Sequence, residues 1–534
     1  MPLTPPFPFT GRTRLLVNVL LATVVLRLLN LAEHSLWLDE GVTWWNATRS
    51  SWRETIYAEV NHPPGWWIVT RAWITAFPGG ETALRMPAAL LGVLSVPLMW
   101  LLARRLSDPA HVPSRGGFTG SDPAVALWVT GFAAANPFWI QYAQEARMYA
   151  ALLAASLALS VLYLRWLDLG GRRTLVFYGL LAAAALYTHY FAAWPIAAHA
   201  AHALWLWRRT RGTPRPFDAR PLWIAQAAAG VLFLPWFVHL LQASPGVAPL
   251  AHDPFVRLGH GLWRMGVGPA LLVLDAARAA ADPMDVVRDE WLLIALTALA
   301  WFVPMGFGVR SLWRDAGGRA FVLLSLLVPV GLVLLAAVRW NLVEDRYLIF
   351  LAPFLLYLAV LGARTAPRPL RPVLLGGLVL LHAAGLFAYH LGDTPLGARL
   401  TAGHAYGKEQ WREAHALVAS KAKPGDVVLL HARFTRAVWA FYAKDDAVPA
   451  TPVPPAGVPL DAALTAEEML ERVPALATAR QVFLVLSHES TADPSHYRDA
   501  AAEALLRAWN GLKVEGPETF PRQWGIRVFR FARP

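Results

Sequence analysis

The stretch AFVLLSLLVPVGLVLLAAV, residues 320–338, decides the fold class of this chain. It contains no charged side chain and is long enough for an α-helix to cross the hydrocarbon core of a bilayer. In lipid the backbone must satisfy its own hydrogen bonds, which restricts spanning structures to helices and closed barrels. Apolar and polar residues do not alternate here as they do in a barrel strand. The stretch therefore indicates a transmembrane helix.

Similar apolar runs recur over most of the chain. Hydrophobic residues make up 56% of the 534 positions and charged residues 16%, whereas about a quarter of the residues of a soluble protein are charged. The first run is followed by no clear small-residue cleavage site, so we interpret it as a retained anchor. The sequence predicts about eleven transmembrane helices, at residues 14–32, 84–103, 123–139, 148–165, 174–189, 190–207, 221–242, 291–309, 320–338, 347–363 and 372–390. The chain has no cysteine, which excludes disulfides and thiolate chemistry.

The net charge of +12 reflects membrane topology. Arginines cluster in alternate loops, for example at 208–220 and 364–371, while the opposite loops hold most of the acids. This is the positive-inside asymmetry, and it puts the N-terminus, with Arg12 and Arg14, in the cytoplasm. An odd number of spans then puts the C-terminus outside. We therefore predict a multi-pass protein of a bacterial plasma (inner) membrane and no nucleic-acid partner.

The chain changes character after about residue 391. Helix and strand patterns alternate there, which is typical of a small α/β layer domain. We predict a transmembrane domain over 1–390 and an extracytoplasmic domain over 391–534. In the second domain the pattern predicts a proline-rich loop at 445–459, helices near Glu409–Ser420, Arg436–Ala443 and Asp499–Trp509, and strands at Val427–His431, Val482–Ser487 and Gly525–Phe531.

Two polar clusters lie in the long first outer loop, 33–83, whose many tryptophans suit short helices along the membrane surface. The first is Trp37-Leu-Asp39-Glu40, where Asp39 is a candidate catalytic base or, alternatively, caps a surface helix. The second contains His62 in the sequence NHPPGWW, which is either a ligand-binding group or a surface histidine on a rigid turn.

Two further clusters are predicted on the same side. The loop YAQEARMY places Glu145 and Arg147 two residues apart, as reactive groups or as a structural ion pair. Arg346 and Tyr347 lie at the outer mouth of a late span, where arginine binds phosphate oxygens of a ligand or of bulk lipid. Placing polar side chains at this depth in a membrane costs free energy. The convergence of these four clusters on one leaflet therefore predicts a functional site.

A sugar carried on a polyprenyl phosphate fits such a site. The lipid tail stays in the bilayer, so the anomeric carbon is attacked at the interface. Phosphate is a weak base and leaves without a general acid, so one carboxylate suffices to take the proton of the acceptor hydroxyl. Cations stabilise the charge on the departing phosphate. We assign Asp39 as the base and Arg147 and Arg346 as phosphate partners, with inversion at the anomeric centre.

The motifs LWLDEG (36–41), HPPGWW (62–67), NPFWIQYAQEARMYAALL (136–153) and DRYLIFLAPF (345–354) resemble the family-39 glycosyltransferases of the GT-C group. Protein O-mannosyltransferases and the aminoarabinose transferase acting on lipid A belong to this group. The resemblance covers roughly residues 14–360 and implies a GT-C fold and a polyprenyl-phosphate donor. It places catalytic acids at Asp39, with Glu40 beside it, and at Glu145. Binding of the donor's phosphate by basic residues is a feature of the family, which implies this role for Arg147 and Arg346. We add His62, Tyr347 and Arg85 to the predicted donor-binding set.

Several alternatives stay open at this stage. His62, Asp39 and Glu145 are a candidate set of ligands for a divalent metal, although their spacing does not require one. The acceptor is a lipid, a glycan or a protein, and the C-terminal domain is a candidate for selecting it.

A transporter or flippase of lipid-linked sugars is the rival function. Ionisable residues are almost missing from the interiors of the predicted spans, which argues against a path that conducts a substrate through the bilayer. An inactive relative that binds a cell-wall polymer is a third hypothesis.

Overall fold

The computed structural model describes residues 11–107, 123–214, 216–243, 253–268, 288, 291–313, 316–338, 343–391, 408–444, 446, 448, 450–452, 471–487, 513–520 and 525–532. Every predicted span overlaps a helix in these ranges. The helices are α1 Gly11–Leu28, α5 Glu81–Ser107, α6 Pro123–Ala135, α8 Tyr149–Leu169, α9 Arg172–Thr188, α10 Ala193–Thr210, α11 Arg220–Ala243, α13 Trp291–Leu312, α14 Ala316–Ala337, α15 Ala352–Thr365 and α16 Leu370–Leu391.

The span predicted at 123–139 is interrupted. A second helix, α7 Pro137–Ala143, begins directly behind α6. Asn136 between them is extended, with φ −71° and ψ 116°, and its side chain accepts a hydrogen bond from the amide of Trp139. Pro137 has no amide hydrogen and restrains the residue before it to an extended conformation, so the first helix ends here.

Seven helical segments of the described chain are long and apolar enough to cross a membrane: Glu81–Ser107, Tyr149–Leu169, Arg220–Ala243, Trp291–Leu312, Gly318–Ala337, Asp345–Thr365 and Leu370–Leu391. The multi-pass α-helical architecture is therefore confirmed, and the count of eleven stays a prediction. The segment 345–365 is the most deeply buried of the seven. It begins with a 3-10 turn, Asp345–Leu351, and continues as α15. A Cβ atom on Gly362 of α15 would lie 1.7 Å from the carbonyl oxygen of Pro304 in α13. Glycine thus allows these two helices to approach closely.

The loop 33–83, predicted to be an outer loop, contains short helices, as predicted: α2 Leu38–Ala47, α3 Trp52–Ile56 and α4 Gly65–Ala76. Between α11 and α13 lies a further short helix, α12 Pro254–Val267. The residues of α2 pack between α4 and the C-terminal part of the chain. This packing puts the predicted catalytic helix at the junction of the two predicted domains.

The C-terminal part contains helices α17 Trp411–Lys421 and α18 Arg436–Tyr442 and one five-stranded sheet. The strands lie in the order β2-β1-β3-β5-β4, and are β1 Val427–His431, β2 Ala450–Pro452, β3 Gln481–Ser487, β4 Lys513–Phe520 and β5 Ile526–Ala532. Strands β1, β2 and β3 are parallel, while β5 runs antiparallel to β3 and β4.

The three predicted strands are present, whereas β2 and β4 were not predicted. Strand β2 lies within the proline-rich stretch predicted to be a loop at 445–459. The helix predicted at Asp499–Trp509 falls outside the described residues. Apolar side chains of the sheet, of α17 and α18, of the start of α5 and of two loops form one buried cluster, which includes Leu36, Leu84, Ala146, Trp411 and Val438. The C-terminal part therefore shares a core with the loops of the membrane part.

Candidate active site

Helix α2 presents its two acids to different environments. Adjacent positions on an α-helix point about 100° apart, since a turn takes 3.6 residues. The side chain of Asp39 is 27% exposed and that of Glu40 is fully buried. Glu145, the third predicted acid, is 2% exposed. Among these three carboxylates, Asp39 is the one that an acceptor can reach.

Glu40 is held by groups from three other segments. Arg85 donates to both carboxylate oxygens over 2.7 Å, Lys408 donates over 3.1 Å, and the amide of Ala146 donates over 2.8 Å. Burial alone would raise the pKa of Glu40, but the charges of Arg85 and Lys408 and these hydrogen bonds outweigh it and lower the pKa to about 2. Glu40 is therefore a permanent anion that joins parts of the site, which does not fit the predicted role of a reactive acid.

The contacts of Arg85 do not fit the predicted phosphate ligand either. A guanidinium has five N–H donors. Two are used on Glu40, and the other three reach the carbonyl oxygens of Leu31, His34 and Ser35 over 2.8, 2.8 and 3.1 Å. Arg85 thus fixes the entry into α2 and keeps no donor for a ligand.

Asp39 begins a chain of contacts that joins the loop 33–83 to the turn between α7 and α8. Its carboxylate lies 3.7 Å from a guanidinium nitrogen of Arg147. Arg147 also contacts Thr43 of α2 over 3.4 Å and Nε2 of His62 over 3.4 Å. Nδ1 of His62 in turn lies 2.8 Å from a carboxylate oxygen of Glu59. The structure therefore brings together Asp39, Arg147 and His62, as the sequence predicts.

The partners of His62 determine its protonation. Burial lowers its pKa, the hydrogen bond to Glu59 opposes this, and the positive charge of Arg147 lowers it further, so the net shift is downward. A neutral imidazole with its hydrogen on Nδ1 donates to Glu59 and accepts from Arg147 at Nε2. His62 thus orients Arg147 toward Asp39.

Glu145 lies in the turn between α7 and α8. Its carboxylate accepts a hydrogen bond from Gln141 over 3.0 Å, and burial raises its pKa. The backbone of this turn joins the other parts of the site: the amide of Ala146 binds Glu40, and the carbonyl of Ala146 accepts from the indole of Trp66 over 3.1 Å. Glu145 interacts electrostatically with Lys408 and Arg346, and its burial keeps it away from solvent.

Arg346 approaches the site from the 3-10 turn before α15. The acids that precede it are paired with helix α12, Glu344 with Arg257 and Asp345 with Arg264. The guanidinium carbon of Arg346 lies 5.7 Å from the ring centre of Trp37 and 5.5 Å from that of Tyr347. Asp39 and Arg346 attract each other electrostatically. Arg346 and Tyr347 thus line the same region as Asp39.

His189, between α9 and the following 3-10 turn, completes this region. Its ring centre lies 6.0 Å from that of His62 and 5.4 Å from that of Tyr347. Nδ1 accepts the amide hydrogen of Phe191 over 3.1 Å, so the ring hydrogen is on Nε2. Burial and the neighbouring charges of Arg147 and Arg346 lower the pKa of His189 well below its ordinary value, which keeps it a neutral donor.

The region contains a set of buried polar nitrogens without a hydrogen-bond partner among the described residues. They are N–H donors of neighbouring side chains: Trp37 Nε1, Trp67 Nε1, Arg147 Nε, His189 Nε2 and Arg346 Nε. One acceptor, Oε1 of Gln141 beside Glu145, is also without a partner among the described residues. Buried donors in native proteins nearly always find acceptors. A surplus of donors around two arginines therefore fits an anionic ligand rich in oxygen, such as a phosphate.

A metal ion fits this arrangement poorly. The guanidinium of Arg147 lies between Asp39 and His62 and contacts both, and Glu145 lies on the buried side. Within the described ranges, no group of three or more histidine, aspartate and glutamate side chains is placed to hold a metal.

Sequence reasoning missed two charged groups of the site. Glu59 lies three residues before His62, a spacing that brings side chains together in a tight turn and was available as a signal. Lys408 has no such signal, because it reaches Glu40 from 368 residues away in the sequence.

No protein family profile and no curated relative matches the sequence. Solved structures share its fold. ArnT from Cupriavidus metallidurans bound to undecaprenyl phosphate is similar with a TM-score of 0.53 and 14% identity, over 97% of this chain and 98% of that one. The Archaeoglobus fulgidus oligosaccharyltransferase in complex with zinc and sulfate is similar with a TM-score of 0.52 and 13% sequence identity. The similarity covers 94% of this chain and 72% of that one.

The archaeal oligosaccharyltransferase AglB from Archaeoglobus fulgidus, in complex with an inhibitory peptide and a dolichol-phosphate, gives a TM-score of 0.50 and 13% identity, over 88% of this chain and 69% of that one. These similarities extend over nearly the whole chain. The GT-C fold predicted from the motifs is therefore confirmed.

Proposed function

We propose that the chain is an inverting glycosyltransferase that moves a sugar from a polyprenyl-phosphate donor to an acceptor hydroxyl at the outer face of the membrane. One observation carries the proposal. Asp39, an accessible carboxylate, is paired with Arg147 beside a group of buried N–H donors that includes Arg346. The undecaprenyl phosphate and the dolichol-phosphate bound to proteins of the same fold support a lipid-linked phosphate as the donor class.

The reaction is a single displacement at the anomeric carbon. The acceptor oxygen attacks this carbon while Asp39 accepts the hydroxyl proton. The bond from the anomeric carbon to the phosphate oxygen breaks, and its electron pair stays on the departing lipid phosphate. Arg147 and Arg346 stabilise that charge as it grows. Attack opposite the leaving group inverts the configuration.

We assign the other predicted residues roles in positioning Asp39, Arg147 and Arg346. His62 orients Arg147, and Tyr347 and Trp37 form the aromatic walls beside Arg346. Glu40 and Arg85 fix the helix that carries Asp39, and Glu145 is a buried carboxyl group close to Lys408 and Arg346. We place the site on the extracytoplasmic side of a bacterial plasma membrane, because the arginine-rich loops predict that orientation.

The contacts of one buried span residue, Arg27, count against a transporter. A conducting path needs ionisable groups that face it along the bilayer. Arg27, a buried ionisable residue of α1, donates instead to the carbonyl oxygens of Ala133 and Ala134 over 3.1 and 3.0 Å. It thus ties α1 to the end of α6.

The test is turnover by purified protein in detergent with a panel of polyprenyl-phosphate sugars. We expect Asp39→Asn to lower kcat by about two to four orders of magnitude, the usual contribution of a general base. The matched control is Asp446→Asn, since Asp446 lies in the C-terminal part and pairs with His415. Equal rates for wild type and Asp39→Asn would remove Asp39 from the mechanism. Flipping of the lipid without sugar transfer, measured with the protein reconstituted into vesicles, would support the transporter.

A further inference from the structure

The N-terminus of α2, the helix that carries Asp39, has no side-chain cap from the residue that precedes it. The first amides of an α-helix have no partner within the helix, and a side-chain oxygen of the preceding residue usually supplies one. The residue before α2 is Trp37, whose side chain has no acceptor oxygen. The amide of Trp37 itself has a long contact of 3.4 Å to Glu40. The chain must therefore supply an acceptor for α2 from elsewhere.

That acceptor comes from the C-terminal part. The carboxylate of Glu409 accepts the amide hydrogen of Leu38, the first residue of α2, over 3.1 Å. The neighbouring Lys408 donates to Glu40 over 3.1 Å and to the carbonyl of Gln144 over 3.4 Å. Both side chains are buried, with Lys408 3% and Glu409 0% exposed. Two consecutive residues thus bind the two residues that flank Asp39 in α2.

Further contacts hold the approach to α2. Ser35 donates to the backbone oxygen of Glu409 over 2.8 Å, and the amide of Leu36 donates to the hydroxyl of Tyr442 over 2.7 Å. On the helix itself, a Cβ atom added to Gly41 would lie 2.4 Å from Cα of Val438 in α18. The C-terminal part therefore contacts α2 at its start, at Glu40 and along one face.

We propose that Lys408 and Glu409 are positioning residues of the active site, which cap and orient the helix that carries Asp39; this rests on the proposed function. The C-terminal part then acts first as a component of the catalytic site, whatever its role toward an acceptor. Loss of either contact displaces α2 and with it Asp39, whereas Arg346 is carried by another segment, the 3-10 turn before α15. A displacement of about 1 Å at a reacting group costs on the order of a hundredfold in rate.

The test compares Lys408→Met and Glu409→Ala in the full chain with Lys421→Met. Lys421 is a matched control because it pairs with Glu518 at the surface of the same C-terminal part, with side chains 40% and 52% exposed. Hydrogen–deuterium exchange of the peptide covering residues 36–47 reports the order of α2 independently of turnover. We expect roughly tenfold faster exchange in both site variants and unchanged exchange in the control.

Kinetics provide the second measurement. In Lys408→Met we expect kcat to fall about ten- to a hundredfold with the KM for the donor within about twofold, and Lys408→Arg to recover most of the rate. If Glu409→Ala fails to fold, Glu409→Gln replaces it, because glutamine keeps an acceptor oxygen. For Glu409→Gln we expect a smaller increase in the exchange of α2 and a smaller decrease in kcat. Unchanged exchange in α2, or a wild-type kcat in Lys408→Met, would overturn the proposal. A wild-type protein that transfers no sugar would refute the glycosyltransferase function, while the exchange measurement would still decide the role of Lys408 and Glu409.

Discussion

Replacing Glu40 with glutamine should destabilise the fold strongly. The substitution keeps the shape of the side chain but removes the charge that neutralises Arg85 and Lys408, which are 1% and 3% exposed. Removing one partner of a buried ion pair costs about 3–5 kcal/mol. The pKa provides a second estimate: a carboxyl that falls from 4.5 to about 2 on folding stabilises the folded state by about 3 kcal/mol at neutral pH.

Both estimates predict a measurable change in thermal stability. With about 2–4 °C of Tm per kcal/mol for an unfolding unit of moderate size, ~3 kcal/mol lowers the Tm of Glu40→Gln by roughly 6–12 °C. The assay is thermal unfolding of the purified protein in detergent, followed by intrinsic fluorescence. Glu518→Gln is the control, because its surface ion pair with Lys421 contributes little, about 0–1 kcal/mol.

The sign of the pH dependence follows from the lowered pKa. A carboxyl with a lowered folded-state pKa stabilises the protein above its unfolded value of 4.5, and this contribution is lost as the pH falls through about 2. The Tm difference between wild type and Glu40→Gln should therefore be constant between about pH 6 and pH 8. A Tm of Glu40→Gln equal to that of Glu518→Gln would refute the reasoning.

Two further predictions concern donor binding. Arg346→Ala should weaken donor binding by about 1.5–3 kcal/mol, typical of a hydrogen bond to a charged group, and an unchanged KM for the donor would contradict the assignment. His189→Asn keeps an acceptor for the amide of Phe191 but loses the donor at Nε2. We expect it to raise the KM for the donor about fivefold, the effect of one neutral hydrogen bond, and about as much as His189→Phe does. A wild-type KM in His189→Asn would show that Nε2 does not contact the donor.

The membrane helices were predictable because their signal is local. A run of about twenty apolar residues indicates a span whatever surrounds it, and every predicted run overlaps a helix. Strand β1 was predicted to the residue for a similar reason. Strand β4 was missed because Gly516 and Pro517 interrupt its pattern. Proline is tolerated there because β4 lies at the edge of the sheet and has a register shift at this point.

The site was predictable in part. Polar side chains next to apolar spans cost free energy in a membrane, and this made Asp39, Arg147 and Arg346 candidates for functional residues. Sequence reasoning did not distinguish Asp39 from Glu40, because adjacent acids look alike until the tertiary structure exposes one and buries the other.

The cap of α2 also has a consequence for biosynthesis. Leu38 is made early, and Glu409 follows 371 residues later. At about 5–20 residues per second, the ribosome needs roughly 20–75 s to cover that interval. Throughout it, the helix bearing Asp39 is already translated and lacks its partner. A chain that stalls or is cut short before residue 408 should therefore place its transmembrane helices in the bilayer and transfer sugar at least about ten- to a hundredfold more slowly than the full chain. Catalytic competence thus arrives with the last quarter of the polypeptide.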